Sequence, residues 1–215
     1  MGQKTALLAG SVVLLLSAVA GCTGHSNGTG GENGPRDLSN DDLRDALPSV
    51  DDVDDVVPLV GTERDSNCIP EFDQAAKEMG RRTRCRAVFD SPGGRYSVSL
   101  VEITLDAYES PATASAAIAN ELSKDPSAAW GGRQERFQVA ALGDEAGGVE
   151  DDADARYGRS VRIVFRIDSL FGAAWVGPQL TPIWEEDRGD PDLRQQALDL
   201  VTRLAANIER ARNGG

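Results

Sequence analysis

Few residues in this chain could do chemistry. His25 is the only histidine, and it sits in the glycine-rich run TGHSNGTGGENGPR at 23–36. A serine or cysteine nucleophile therefore has no imidazole base within a folded segment. None of G-x-S-x-G, H-E-x-x-H or G-x-x-x-x-G-K-S/T occurs. Carboxylates are abundant, at Glu150-Asp151-Asp152-x-Asp154 and Glu185-Glu186-Asp187. Their default role is that of solvated loop acids, because the separation that defines a glycosidase pair is spatial and leaves no trace in sequence. Neither Asp52-x-Asp54 nor Asp152-x-Asp154 completes a calcium loop: in the second, Tyr157 takes the glycine position and Ile163 that of the closing glutamate. No metal and no cofactor is expected. Arg188-Gly189-Asp190 reads as a turn glycine followed by a helix cap rather than an adhesion signal.

The cysteines say more. The chain has three, too few for a four-thiolate zinc site. Lys4 precedes an apolar run over residues 6–20, shorter than the roughly 17–25 residues that a membrane-crossing helix needs. The run ends in Val19-Ala20-Gly21-Cys22, which resembles the bacterial lipobox. That resemblance implies cleavage before Cys22, a diacylglyceryl thioether on its sulfur, and acylation of the new N-terminus. Two or three acyl chains hold a protein to a membrane where one does so only marginally. Cys68 and Cys85 are then left as a pair in an oxidising compartment, and a structural disulfide is expected between them.

Charge narrows the partners. With 22 Lys and Arg against 35 Asp and Glu, the net charge is −13, which disfavours nucleic acid because counterion release needs a basic surface. Three arginines do stand at i, i+2, i+4 in Arg82-Thr83-Arg84-Cys85-Arg86, a stripe that could bind an anion or form a cross-strand charge ladder. The ladder reading pairs Asp90 with Arg95 across Pro92-Gly93-Gly94, faces Arg84 toward Glu102, and places a β-bulge near Val101. Trp130, followed by Gly131-Gly132-Arg133, and Trp184, in a proline-interrupted segment, are candidates for a binding surface.

These groups must be positioned by elements. Residues 1–21 are the leader. Residues 22–55 are the acylated cysteine, a tether too polar to bury a core, and an aspartate-rich lead in which Ser39 could cap a short helix carrying Leu43 and Leu47 on one face. Residues 56–215 are a single domain. Periodicity predicts strands at 56–62, 82–90, 95–107, 135–141, 159–168 and 171–176, and helices at 71–79, 111–124 and 191–211. Asp190 and Pro191 mark the start of the last helix, with Leu193, Ala197, Leu200, Val201, Leu204, Ala205 and Ile208 on its apolar stripe. Val161, Ile163, Phe165 and Ile167 alternate with Arg162 and Arg166, and polar outer faces favour an antiparallel sheet. The fold class expected is α+β, a curved antiparallel sheet with two main helices packed on one face.

Leu43-x-x-Ala46-Leu47-Pro48-Ser49-Val50-Asp51-Asp52-Val53, the Cys68…Cys85 pair, Ala141-Leu142-Gly143-Asp144-Glu145-Ala146, the basic strand Val161–Ile167 and the terminal helix together carry a likeness. The chain resembles actinobacterial exported lipoproteins related to the extracellular sensor-like domains of mycobacterial receptor kinases. The resemblance implies a ligand- or partner-binding module on the outer face of the cell membrane, without catalysis. Those kinase domains carry two disulfides around a cleft, whereas this chain has cysteines for one. The partners expected are the membrane, through the lipid anchor, and an envelope protein or small ligand. Two alternatives are a hydrolase of envelope carbohydrate or lipid using a carboxylate pair, and a carrier with an apolar cavity.

Overall fold

The computed structural model describes residues 37–57, 62–90, 98, 100–124, 133–152, 158–179 and 192–214. Cys22, the stretch 23–36, Trp130 and Trp184 lie outside them. Seven strands form one antiparallel sheet: β1 (Thr62–Pro70), β2 (Arg81–Asp90), β3 (Leu100–Tyr108), β4 (Arg133–Phe137), β5 (Glu145–Asp152), β6 (Arg159–Ile167) and β7 (Leu170–Gln179). Their spatial order is β1-β2-β3-β7-β6-β5-β4. The helices are α1 (Asn40–Asp45), α2 (Val50–Asp54), α3 (Gln74–Glu78), α4 (Pro111–Ser123) and α5 (Leu193–Arg212). The fold is α+β, as composition and periodicity indicate.

The two main helices do not share a face. Successive strand residues point to opposite sides, and they sort cleanly here. Val161, Ile163, Phe165, Ala174 and Val176 pack with the buried stripe of α5, Leu193 to Ile208. Val164, Phe171 and Ala173 pack instead with Ala114 and Ile118 of α4. Apolar residues of β6 and β7 thus occur on both sides, so each helix finds its own apolar patch and the sheet is sandwiched. The seven residues expected on the α5 stripe are all buried. Its cap is Asp192, which accepts from the Gln195 N–H at 3.0 Å, two residues beyond the expected Asp190.

The acidic lead belongs to the packed unit, so the boundary expected at residue 56 falls inside it. Ser39 and Asp42 form a reciprocal capping box, and Ser49 and Asp52 repeat it. The aspartates thereby start helices, while Leu43, Ala46, Leu47, Val53 and Val57 are buried in the main core. From α5, Arg203 reaches Asp52 at 3.3 Å, and Asn207 donates to the Ala46 carbonyl at 3.1 Å.

β5 is a strand the charge pattern conceals. Its Gly148 permits close approach: a Cβ there would strike the ring of Phe137 from β4. Two of its acids are not solvated loop groups, since Arg159 and Arg194 hold buried Glu150 and Gln134 holds Asp151, while Asp152 is exposed. Cys68 and Cys85 are bonded, directly opposite each other on β1 and β2. The bond therefore joins two strands rather than a loop to a strand.

Candidate functional site

A cavity of about 310 Å³ opens between α4 and the β2–β3 end of the sheet, with the end of α3 as its third wall. Its floor is ionic. Arg84 donates to Asp106 through Nε at 3.1 Å and Nη2 at 2.9 Å, a bidentate fork across neighbouring strands. Arg81 adds a third bond to Asp106 at 3.3 Å and an ion pair to Glu71. The Asp106 side chain is 1% exposed, Arg81 12% and Arg84 40%. The buried part is thus a fixed four-member cluster with two charges of each sign, and Arg84 is its outlet to the cavity.

Local structure explains the convergence. Register between β2 and β3 shifts between Arg81 and Thr83, a bulge that brings Arg81 into phase with Arg84 and not with Arg82. On the other side, Glu71 accepts from the Asp73 N–H at 2.7 Å, and Asp73 caps α3. The helix closes at Gly80, where φ is +82° and a Cβ would press on Thr113 at the start of α4. That tight joint sets Glu78 and Met79 at the cavity wall. Met79 is 51% exposed and, nearby in sequence, Phe72 is 74% exposed.

Electrostatics follow the packing. Burial pushes the Asp106 carboxyl up, while the bonds from Arg84 and Arg81 pull against it. Burial works to lower Arg84, but Asp106 more than offsets it and holds the guanidinium above its ordinary value. Burial also works to raise Glu71, yet Arg81 and the Asp73 N–H hold it below the usual carboxylate range. Burial raises the phenol of Tyr108, which lies under the cavity edge-on to Phe171 with ring centroids 6.4 Å apart.

The α4 wall is made of small and polar groups, among them Thr113, Ala116, Ala117, Asn120 and Glu121. Glu121 pairs with Lys124 at the rim and lies 3.8 Å from Arg162. The Arg162 Nε and Nη2 are buried with no hydrogen-bond acceptor.

The register expected for the hairpin is overturned. Asp90 pairs with Leu100 and Cys85 with Leu105, with no irregularity near Val101. Nine residues of sequence, 91–99, separate Asp90 from Leu100, where the expected register left four between Asp90 and Arg95. In this register Val101, Ile103 and Leu105 oppose Phe89, Ala87 and Cys85 on one face, so there is no change of phase for a bulge to absorb. Arg84 meets Asp106 instead of Glu102, and Arg86 takes Glu102 with bonds of 2.8 and 2.7 Å. The ladder exists with shifted partners. The stripe as a whole is not an anion site, since Arg84 is engaged by Asp106 at 2.9 Å and Arg86 by Glu102 at 2.7 Å. Arg133 is exposed at the start of β4, the edge of the sheet opposite β1, and is not brought to the cavity. The meeting of Asp106, Arg81, Glu71 and the α4 wall leaves no signal in sequence, because it depends on a bulge and on the register of β2 with β3. Among the described residues no group of His, Cys, Asp and Glu is placed to hold a metal ion.

The fold is similar to the crystal structure of the extracellular domain of PknH from Mycobacterium tuberculosis. The TM-score is 0.57 at 14% sequence identity, over 82% of this chain and 100% of that one. At this identity the likeness concerns the fold alone. No protein-family model matches the chain, and no curated protein is similar to it in sequence. Among the described residues no helix is long and apolar enough to cross a membrane.

Proposed function

We propose that this chain is a lipid-anchored binding module of the cell envelope, held at the outer face of the membrane through Cys22 and taking a small ligand or partner segment without chemical turnover. The observation that carries this reading is the likeness of its fold to an extracellular domain of a kinase, across the whole of that domain. The cavity supports it. Fixed ionic groups at the floor, small residues along one wall and an exposed methionine at another suit selective binding. Asp106 is clamped by two guanidiniums, which suits it to positioning Arg84 and not to acid–base work. A floor of ion pairs suits a polar occupant better than a lipid chain.

Equilibrium dialysis tests the binding half of the reading. The purified soluble form, with Cys22 replaced by serine, is dialysed against a low-molecular-weight extract of bacterial envelopes. A second sample carries Ala117→Leu, which fills the cavity from a helix position that tolerates leucine. A compound retained by the parent and lost from Ala117→Leu is the expected result. Retention of nothing, or equal retention by both, contradicts the reading.

A further inference from the structure

The charges around the cavity balance. At the floor Arg81 and Arg84 are matched by Asp106 and Glu71, and along the α3 and α4 walls Lys124 and Arg162 stand against Glu121 and Glu78. A simple anion would leave one negative charge in excess, on a chain whose net charge is already −13. A simple cation finds Arg84 at the centre of the floor. An occupant that carries one charge of each sign meets neither penalty.

Arg84 shows where the negative end would go. It spends Nε and Nη2 on Asp106, which leaves Nη1 on a side chain 40% exposed and lining the cavity. A guanidinium fixed on one edge by a buried carboxylate loses little further freedom when its remaining edge takes a second one. Glu78, at the end of α3, supplies an acceptor for a positive end, while Glu121 on α4 is already paired with Lys124. Between them the wall is Ala116, Ala117 and Met79, with room for small aliphatic groups. A volume of about 310 Å³ lies at the small end of ligand cavities.

We infer that the cavity between α4 and β2–β3 binds a small zwitterion of the amino-acid or dipeptide class, its carboxylate on the free edge of Arg84 and its ammonium toward Glu78. The inference rests on the binding-module reading and specifies its ligand.

The probe is alanylalanine, titrated into the soluble protein by calorimetry or amide chemical shifts, alongside its C-terminal amide and its N-acetyl derivative. Saturable binding of the free dipeptide is expected with Kd on the order of millimolar or tighter. Each cap should weaken it by about tenfold, the loss of one charge-assisted contact. Arg84→Lys, which keeps the charge and loses the fork, should weaken it by about tenfold as well. Ala117→Leu should abolish it while the melting temperature holds. The two caps and Ala117→Leu decide the matter even if Arg84→Lys fails to fold. No saturation, equal binding of free and capped forms, or undiminished binding by Ala117→Leu overturns the inference. If the dialysis experiment still retains a compound in that event, the ligand class is wrong and the module reading stands.

Discussion

Arg84 and Asp106 form the hinge between structure and proposed function. Asp106 is buried, accepts from two arginines and so fixes the direction in which Arg84 meets the cavity. Removing one partner of a buried pair costs far more than replacing both, because the charge left behind is stranded. Asp106→Asn should destabilise the fold by about 3 kcal/mol, at the low end of the range for breaking a buried pair because Arg84 is 40% exposed and water can reach it. Replacing Arg84 by Met and Asp106 by Leu together should cost less than Asp106→Asn alone. Urea denaturation of the three proteins measures this, and an Asp106→Asn variant as stable as the parent would show that the cluster is not held as described. The arginine stripe was legible as residues, and its pairing to carboxylates was the right kind of partner. Which carboxylates was not legible, since the register is set by Val101, Ile103 and Leu105 meeting Phe89, Ala87 and Cys85 across the two strands.

Elements were legible where capping and periodicity agree. α5 has both, and each of its seven core positions is buried; α4 has Ser110 and Pro111 at its start. β5 has neither, because two glycines and four acids read as a loop until Phe137 is seen lying against Gly148 and arginines against Glu150. The lead segment was misjudged for a related reason. Its aspartates dominate the composition, yet they cap helices and meet solvent while Leu43, Leu47 and Val53 turn inward. Leu43→Ala should therefore lower stability by about 2–5 kcal/mol, the range for a truncated core leucine. Thermal or urea unfolding checks it. A change within about 0.5 kcal/mol, as at ordinary surface positions, would put the lead outside the cooperative unit.

At the scale of the whole molecule, the proposed lipid address and the cavity belong to one chain. The disulfide between β1 and β2 fastens the sheet edge nearest the cavity, and a cross-link of this kind contributes roughly 2–4 kcal/mol by restricting the unfolded chain. The sandwich places α4 on one face and α5 with the helices α1 and α2 on the other, so the cavity and these two helices occupy different sides of the sheet. The one-face arrangement expected from sequence missed this, because Val164 and Ala173 sit among residues of the opposite phase and look incidental until both faces are seen covered. The claim that joins address to surface is that acylation of Cys22 holds this unit outside the cell. Fractionation of bacteria producing the parent or Cys22→Ser, with protease added to intact cells lacking an outer barrier, tests it most directly. The account predicts that the parent sediments with membranes through high-salt washing and is digested from outside, whereas Cys22→Ser is released to the medium or the soluble fraction. A Cys22→Ser variant that sediments as the parent does, or a parent protected inside intact cells, would contradict it.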